Sequence, residues 1–159
     1  MLFTKSAILA CLAATASAVE LRFYVDGRQG CQGSYTFCPN LPTGQCCTTP
    51  NVQDVNTALG WYRLRPSTGI RGVGYFQERC GGDEAGSGTS NGQSSMCYPT
   101  PQYRSGKFST LSGARETTED AVHEEQGIEG SCRKPGGIVY EDGTEFDLTG
   151  LSDEQNDEM

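Results

Sequence analysis

Trp61-Tyr62-Arg63-Leu64-Arg65-Pro66-Ser67-Thr68-Gly69-Ile70-Arg71-Gly72-Val73-Gly74-Tyr75-Phe76 is the stretch whose reading decides the fold class. Two runs rich in aromatic and β-branched residues flank Pro66-Ser67-Thr68-Gly69, the composition of strands around a turn. With Arg65 first, Pro66 takes the second turn position, where its fixed φ suits a type I turn within a short hairpin loop. The stretch therefore predicts a β-hairpin. If Arg65 opposes Ile70, then Tyr62, Leu64, Val73 and Tyr75 share one face with Arg71. Trp61, Arg63 and Arg65 share the other with Ile70, Gly72 and Gly74.

Outward from there the chain reads as further short strands. Val19-Glu20-Leu21-Arg22-Phe23-Tyr24-Val25 alternates and ends at Asp26-Gly27, a turn dipeptide. Tyr35-Thr36-Phe37-Cys38 is a second candidate, closed by Pro39-Asn40, and Gln45-Cys46-Cys47-Thr48-Thr49 is a third. Residues 81–95 read as a Gly/Ser-rich loop. Residues 99–136 are polar and acidic, with too little apolar surface to offset the entropy of ordering, so a linker is expected with a marginal helix over 116–126. Gly137-Ile138-Val139-Tyr140, Asp142-Gly143 and Phe146-Asp147-Leu148 predict a second hairpin within an acidic tail, residues 137–159. Ser152 has the position of a helix cap after it. The expected fold class is thus mostly β: a small disulfide-stabilised, sandwich-like domain over residues 19–98, followed by an acidic and partly disordered extension.

Cysteine usage sets the compartment. Lys5, an apolar run from Ala7 to Ala14, and Ala16-Ser17-Ala18 give the charged, hydrophobic and small-residue order of a secretory leader, with cleavage expected after Ala18. The apolar run falls short of the ~20 residues of a spanning helix. Cys11 leaves with the leader. Cys31, Cys38, Cys46, Cys47, Cys80, Cys97 and Cys132 enter an oxidising pathway in which disulfides persist, so the expected location is extracellular. Only 35% of the chain is hydrophobic, and a core that poor needs crosslinks, each contributing about 2–4 kcal/mol. Connectivity is not deducible from spacing. Cys46 and Cys47 on one strand would point to opposite faces and tie it to two different elements. Cys132 either pairs with a core cysteine and leaves another thiol free, or joins two chains, so the expected state is a monomer or a disulfide-linked dimer.

The net charge of −8 excludes classes of partner, because affinity for phosphate comes from Lys and Arg. Neither nucleic acid nor a membrane is expected. Residues 109–159 hold most of the acids against only Arg115, Arg133 and Lys134, which suggests that this half could fold over Arg63, Arg65 and Arg71. His123 is the only histidine; it lacks the second histidine of a metalloprotease motif and a fixed setting for a general base. Paired carboxylates of a glycosidase need a fixed separation of ~5–10 Å, which an acidic tail does not hold. No CxxC pair suggests a zinc site. The expectation is a non-enzymatic protein with no catalytic residues, metal or cofactor. Trp61 beside Arg63 and Arg65 is the candidate binding group, an aromatic plane with guanidinium donors suited to a sugar or an anion. The partner expected is an extracellular protein or a cell-wall carbohydrate.

Phe23-Tyr24, Cys31-Gln32-Gly33, Cys38, Cys46-Cys47, Gly72-Val73-Gly74-Tyr75, Cys80 and Cys97 together resemble a widespread type of small secreted cysteine-rich fungal protein. The pattern covers residues 20–98. The resemblance implies a secreted, effector-like interaction protein acting at a host or microbial surface. The aromatic-glycine strands are also similar to βγ-crystallin domains, which implies an alternative: a carbohydrate- or calcium-binding module. Ser90-Asn91-Gly92-Gln93-Ser94-Ser95 comes close to that family's calcium motif, but Ser90 stands where an acidic or amide oxygen belongs and the segment offers no carboxylate. Cys38-Pro39-Asn40 with Cys46-Cys47 echoes the hevein type, whose closely following cysteine and aromatic residues are missing between 48 and 60.

Overall fold

In the computed structural model, which describes residues 19–25, 30–49, 58–99, 102–111 and 132–151, the alternation that begins at Val19 becomes β1 (Val19–Tyr24). The strands that follow are β2 (Tyr35–Leu41), β3 (Cys47–Thr48), β4 (Ala58–Tyr62), β5 (Ile70–Tyr75) and β6 (Glu84–Thr89). Then come β7 (Met96–Tyr98), β8 (Ser105–Thr110), β9 (Gly137–Val139) and β10 (Glu145–Asp147), with one 3-10 turn at Glu78–Cys80. They form two antiparallel sheets, a larger one in the order β10-β9-β2-β1-β4-β7 and a smaller one in the order β3-β8-β5-β6. The fold is mostly β and disulfide-stabilised, as the sequence predicts.

The core lies between the sheets and follows from period-2 alternation. Val19, Leu21 and Phe23 of β1, Leu59 and Trp61 of β4, and Met96 of β7 are buried on the inner face of the larger sheet. Opposite them the smaller sheet carries glycines. A methyl at Gly72 would lie 2.8 Å from Trp61 Cε2 and 3.0 Å from Met96 Cε; one at Gly106 would lie 3.0 Å from Leu59 Cδ2 and 3.2 Å from Leu21 Cδ2. Gly74 and Gly86 lie under the Tyr103 ring, and Gly88 under Tyr98. Large rings are thus seated on a floor without side chains. A buried aromatic that removes ~200 Å² from water contributes on the order of 5 kcal/mol at ~25 cal/mol per Å².

This arrangement corrects the expected hairpin over Trp61–Phe76. β4 pairs with β1 and β7, whereas β5 pairs with β6 and β8, so the two strands belong to different sheets. Residues 63–69 carry the chain across the sandwich, fixed by Leu64 N–H donating to Ser94 O (3.0 Å) and Leu111 N–H to Gly69 O (2.7 Å). Trp61 and Gly72 do meet, but face to face across the core. Alternation identifies which face a residue takes, not which strand lies beside it.

Four further expectations give way. Residues 84–89, read as loop, form β6 at the edge of the smaller sheet, because Gly86 and Gly88 supply the floor beneath two rings. Residues 105–110, read as linker, form β8 between β3 and β5. Its inward Gly106 and Phe108 are an apolar face too sparse to register as a strand. With β8, β9 and β10 built into the sheets, an expected boundary after residue 98 falls inside the sandwich. Finally, β2 runs through Pro39-Asn40. Val19 pairs with Leu41 and Leu21 with Cys38, so Pro39 and Asn40 bulge opposite Glu20, where a missing N–H and a φ of 50° at Asn40 are tolerated.

The predicted tail hairpin is present: Phe146 pairs with Ile138, and β9 adds to β2 through Tyr35↔Val139 and Phe37↔Gly137. The described part of the tail therefore seats along β2 rather than over the arginines. Arg71 pairs instead with Glu84 at 2.7 Å. The leader, the helix expected over 116–126 and the cap at Ser152 lie outside the described residues.

Gly72→Ala is expected to destabilise by about 1–3 kcal/mol through overpacking against Trp61. Gly150→Ala, with nothing within 4 Å of the new methyl, should stay within about 0.5 kcal/mol. Urea unfolding midpoints compare the two; equal midpoints would contradict the seated-ring packing.

Candidate functional site

Of the binding group expected from sequence, the structure keeps only a part at the surface. Trp61 is fully buried, and its indole N–H has no hydrogen-bond partner among the described residues. Its ring belongs to the core, packed edge-on against Tyr98 at 4.9 Å. Arg63 is exposed and adopts a φ of 60° just after β4. Arg65 is exposed in the crossover.

What the structure assembles instead is the outer face of the larger sheet. Glu20, Arg22 and Tyr24 alternate with the core residues of β1 and so share that face. Cross-strand neighbours bring Tyr62 beside Glu20 and Tyr35 beside Tyr24. The Arg22 guanidinium lies 4.4 Å from the Tyr35 ring centroid and 4.2 Å from that of Tyr62, a cation held between two π faces contributed by three strands. Arg22 Nε donates to Glu20 Oε1 at 2.6 Å, and Arg63 Nη2 reaches Glu20 Oε2 at 3.3 Å. Tyr24 Oη donates to Tyr62 Oη at 2.7 Å. Phe37 continues the row of rings, 6.2 Å from Tyr35.

Two local features put these groups in place. The bulge in β2 lies opposite Glu20, where bulges re-aim a side chain. Gly60 leaves room for Tyr62 to lie along the strand; a methyl there would fall 2.6 Å from Tyr62 Cε2. The electrostatics follow from burial and pairing. Burial weakens the Arg22 cation, but bonds with Tyr24 and Glu20 and the charge of Glu20 outweigh it, and its pKa is raised overall. Burial, and then the bond with Tyr24, pushes the Tyr62 phenol well above its ordinary value. Burial also raises Tyr35, against the opposing influence of Arg22. One carboxylate thus serves two guanidinium groups beneath half-buried rings, with the charge of Glu145 also acting on Tyr35.

Sequence reasoning missed Glu20, Arg22, Tyr24, Tyr35 and Tyr62. The signal was the polar face of β1 itself, Glu20-Arg22-Tyr24, on a strand whose other face is wholly apolar.

The cysteines sort as follows. Cys31 bonds Cys97, Cys38 bonds Cys47 and Cys46 bonds Cys80, with Cα separations of 5.9, 6.4 and 5.9 Å. Cys46 and Cys47 do tie one strand to two elements, the 3-10 turn and β2. Cys132, grouped with the crosslinking cysteines by sequence, carries a free thiol and is half-buried. At the segment compared with a calcium motif, Ser90 is buried and its hydroxyl accepts the Ile70 N–H at 3.1 Å, so it serves the backbone. His123 lies outside the described residues.

A family model described as ARB_05566_N, N-terminal domain, matches residues 20–136. That span is well over half of the chain, and the chain belongs to this family. The match takes in β1 to β8 and Cys132 and ends just before β9. Searches of curated proteins and of solved structures returned no match.

The raised phenols have a consequence for alkaline stability. The folded state holds protons on Tyr62 and Tyr35 that the unfolded chain releases near the ordinary value of 10.0. The stabilisation is complete below that pH and is lost as pH rises through the raised folded values. Tyr62→Phe should cost about 1 kcal/mol at neutral pH through the lost Tyr24 bond and should flatten the decline above pH ~10. Urea titrations at increasing pH check both; an unchanged slope would refute the assignment.

Proposed function

We propose, taking the family membership as premise, that this chain is a secreted, non-enzymatic interaction protein of the small cysteine-rich fungal type. It meets its partner through the outer face of the larger sheet. The observation that carries this reading is the Tyr35–Arg22–Tyr62 stack, with Arg22 4.4 and 4.2 Å from the two rings. Rings fixed on a sheet offer apolar contact area at low entropic cost, and a guanidinium adds directional donors. Arg63, exposed at a φ of 60° and paired with Glu20, adds a second guanidinium beside that stack.

A pyranose fits this chemistry. Its C–H bonds carry partial positive charge and stack on the negative face of an aromatic ring, while its hydroxyls accept from guanidinium groups. A cell-wall carbohydrate is therefore the partner class proposed, ahead of an extracellular protein. The calcium-binding alternative gains no support from Ser90, whose oxygen is already committed.

Export is part of the same reading. Three disulfides fit an oxidising compartment. Cleavage after Ala18 would leave Val19, the fully buried first residue of β1, as the new terminus. Expressed in a secreting yeast, the full chain should appear in the medium with Val19 first on Edman sequencing; an uncleaved or retained product would contradict export.

Retention on insoluble chitin and on β-glucan tests the binding face. Wild type should be retained on one of them. Tyr35→Ala should lose about tenfold in affinity, a cost of about 1.4 kcal/mol. Arg63→Asn, chosen because asparagine accepts a left-handed φ, should also weaken retention, with only a small drop in thermal stability because Arg22 still pairs with Glu20. Retention that both variants leave intact would assign binding to another surface. No retention of the wild type on either polymer would refute the carbohydrate class.

A further inference from the structure

Cys132 is not an isolated thiol. Arg133 N–H donates to Cys46 O at 2.8 Å and Thr48 N–H donates to Arg133 O at 3.0 Å, which makes a parallel bridge between Cys47 and Arg133. Continuing that register by one residue sets Cys132 directly opposite Cys46, and opposed residues in a parallel pair point to the same side of the sheet. Neighbouring strands lie ~4.8 Å apart, inside the ~4.4–6.8 Å window of Cα separations that a disulfide spans. Cys46 is already bonded to Cys80. Burial raises the pKa of the Cys132 thiol, and the Arg79 cation, next to Cys80 in the 3-10 turn, works against that rise. The register therefore sets a free cysteine on the strand position opposite a disulfide-bonded one.

The end held by Cys80 is the strained one. Arg79 and Cys80 both adopt left-handed backbone conformations, with φ of 61° and 51°, and no glycine relieves them. The turn is restrained by its crosslink, by Cys80 N–H donating to Ser105 Oγ at 2.8 Å and by Gly81 N–H donating to Glu78 O at 3.4 Å. A thiolate leaving from Cys80 would have Arg79 as its immediate neighbour, and a stabilised thiolate leaves faster.

We propose that Cys132, Cys46 and Cys80 form an internal thiol–disulfide exchange site with two stable pairings. The Cys132 thiol loses its proton to solvent, and the thiolate attacks Cys46 Sγ. The Cys132–Cys46 bond forms as the Cys46–Cys80 bond breaks, and Cys80 departs as a thiolate that takes up a proton. One disulfide and one thiol are present before and after, so no oxidant or reductant is consumed. The exchange moves the free thiol from the partly buried segment after residue 131 to the turn at Glu78–Cys80, whose neighbours Gln77 and Gly82 are exposed, and releases the strained turn.

The test is a disulfide map of the secreted protein. It is held in mildly alkaline buffer, quenched with acid, and alkylated with N-ethylmaleimide under denaturing conditions. The label should divide between Cys132 and Cys80, with a Cys46–Cys132 peptide pair appearing alongside Cys46–Cys80. Label on Cys132 alone at all times would overturn the proposal. Label on Cys46 with a Cys80–Cys132 pair would overturn it too, because the attacked sulfur would be the wrong one. A Cys80→Ser variant gives an independent readout: treated with oxidised glutathione, which is reduced in the exchange, Cys46 and Cys132 should pair with each other, lowering the mass by two hydrogens relative to the reduced pair. Two free thiols in that folded variant would count against the site.

Discussion

Everything in this sandwich depends on how closely two sheets can approach. Five glycines, Gly72, Gly74, Gly86, Gly88 and Gly106, line the inner face of the smaller sheet, and onto them lie Trp61, Tyr98, Tyr103, Leu59 and Leu21. A chain with few aliphatic residues has gathered its apolar volume into rings, and rings of that size fit between sheets only if one side supplies no side chain. The same constraint explains why the crossover at 63–69 is needed. A hairpin would set Trp61 beside β5, whereas the crossover sets it above.

The crosslinks act where packing is thin. Cys38–Cys47 and Cys46–Cys80 hold the two-residue strand β3 to β2 and to the 3-10 turn, and that strand has little else to secure it. Cys31–Cys97 joins the segment before β2 to β7, the far edge of the larger sheet, across 66 residues of sequence. On the outer face of that sheet, order comes from polar groups. Glu20 is almost completely buried between two arginines, and a buried charge is a weak source of net stability but a strict condition on geometry, since removing one partner strands the other. The face that serves as the proposed binding surface is therefore held to one arrangement by its own charges.

Much of this was legible in the sequence, and the losses have specific causes. β1 and the β9–β10 hairpin were readable because alternation and Asp142-Gly143 are local signals. The opposite faces of Cys46 and Cys47 followed from strand periodicity alone. β6 and β8 were hidden because their inward residues are mainly glycine, and glycine signals a loop unless the ring that will cover it is known. The partnering of β4 and β5 was hidden because each strand shows a correct inner face and nothing local names its neighbour. Trp61, the most conspicuous candidate for binding, was claimed by the core, while the less conspicuous Arg22 acquired its setting from Tyr35 and Tyr62, distant in sequence and adjacent only after folding.

The glycine floor also has a bearing on solubility. β6 is an open edge, and an open edge invites another chain to add a strand, most readily when it is long, flat and apolar. Here the inward positions are Gly86 and Gly88, and the exposed ones include Glu84, Ser87 and Thr89, with Arg71 bonded to both Glu84 and Ser87. A strand adding to that edge would find backbone to pair with but no side chains to pack against, beside a charge pair it would have to desolvate. The residues that admit the rings thereby make the edge a poor seed for aggregation.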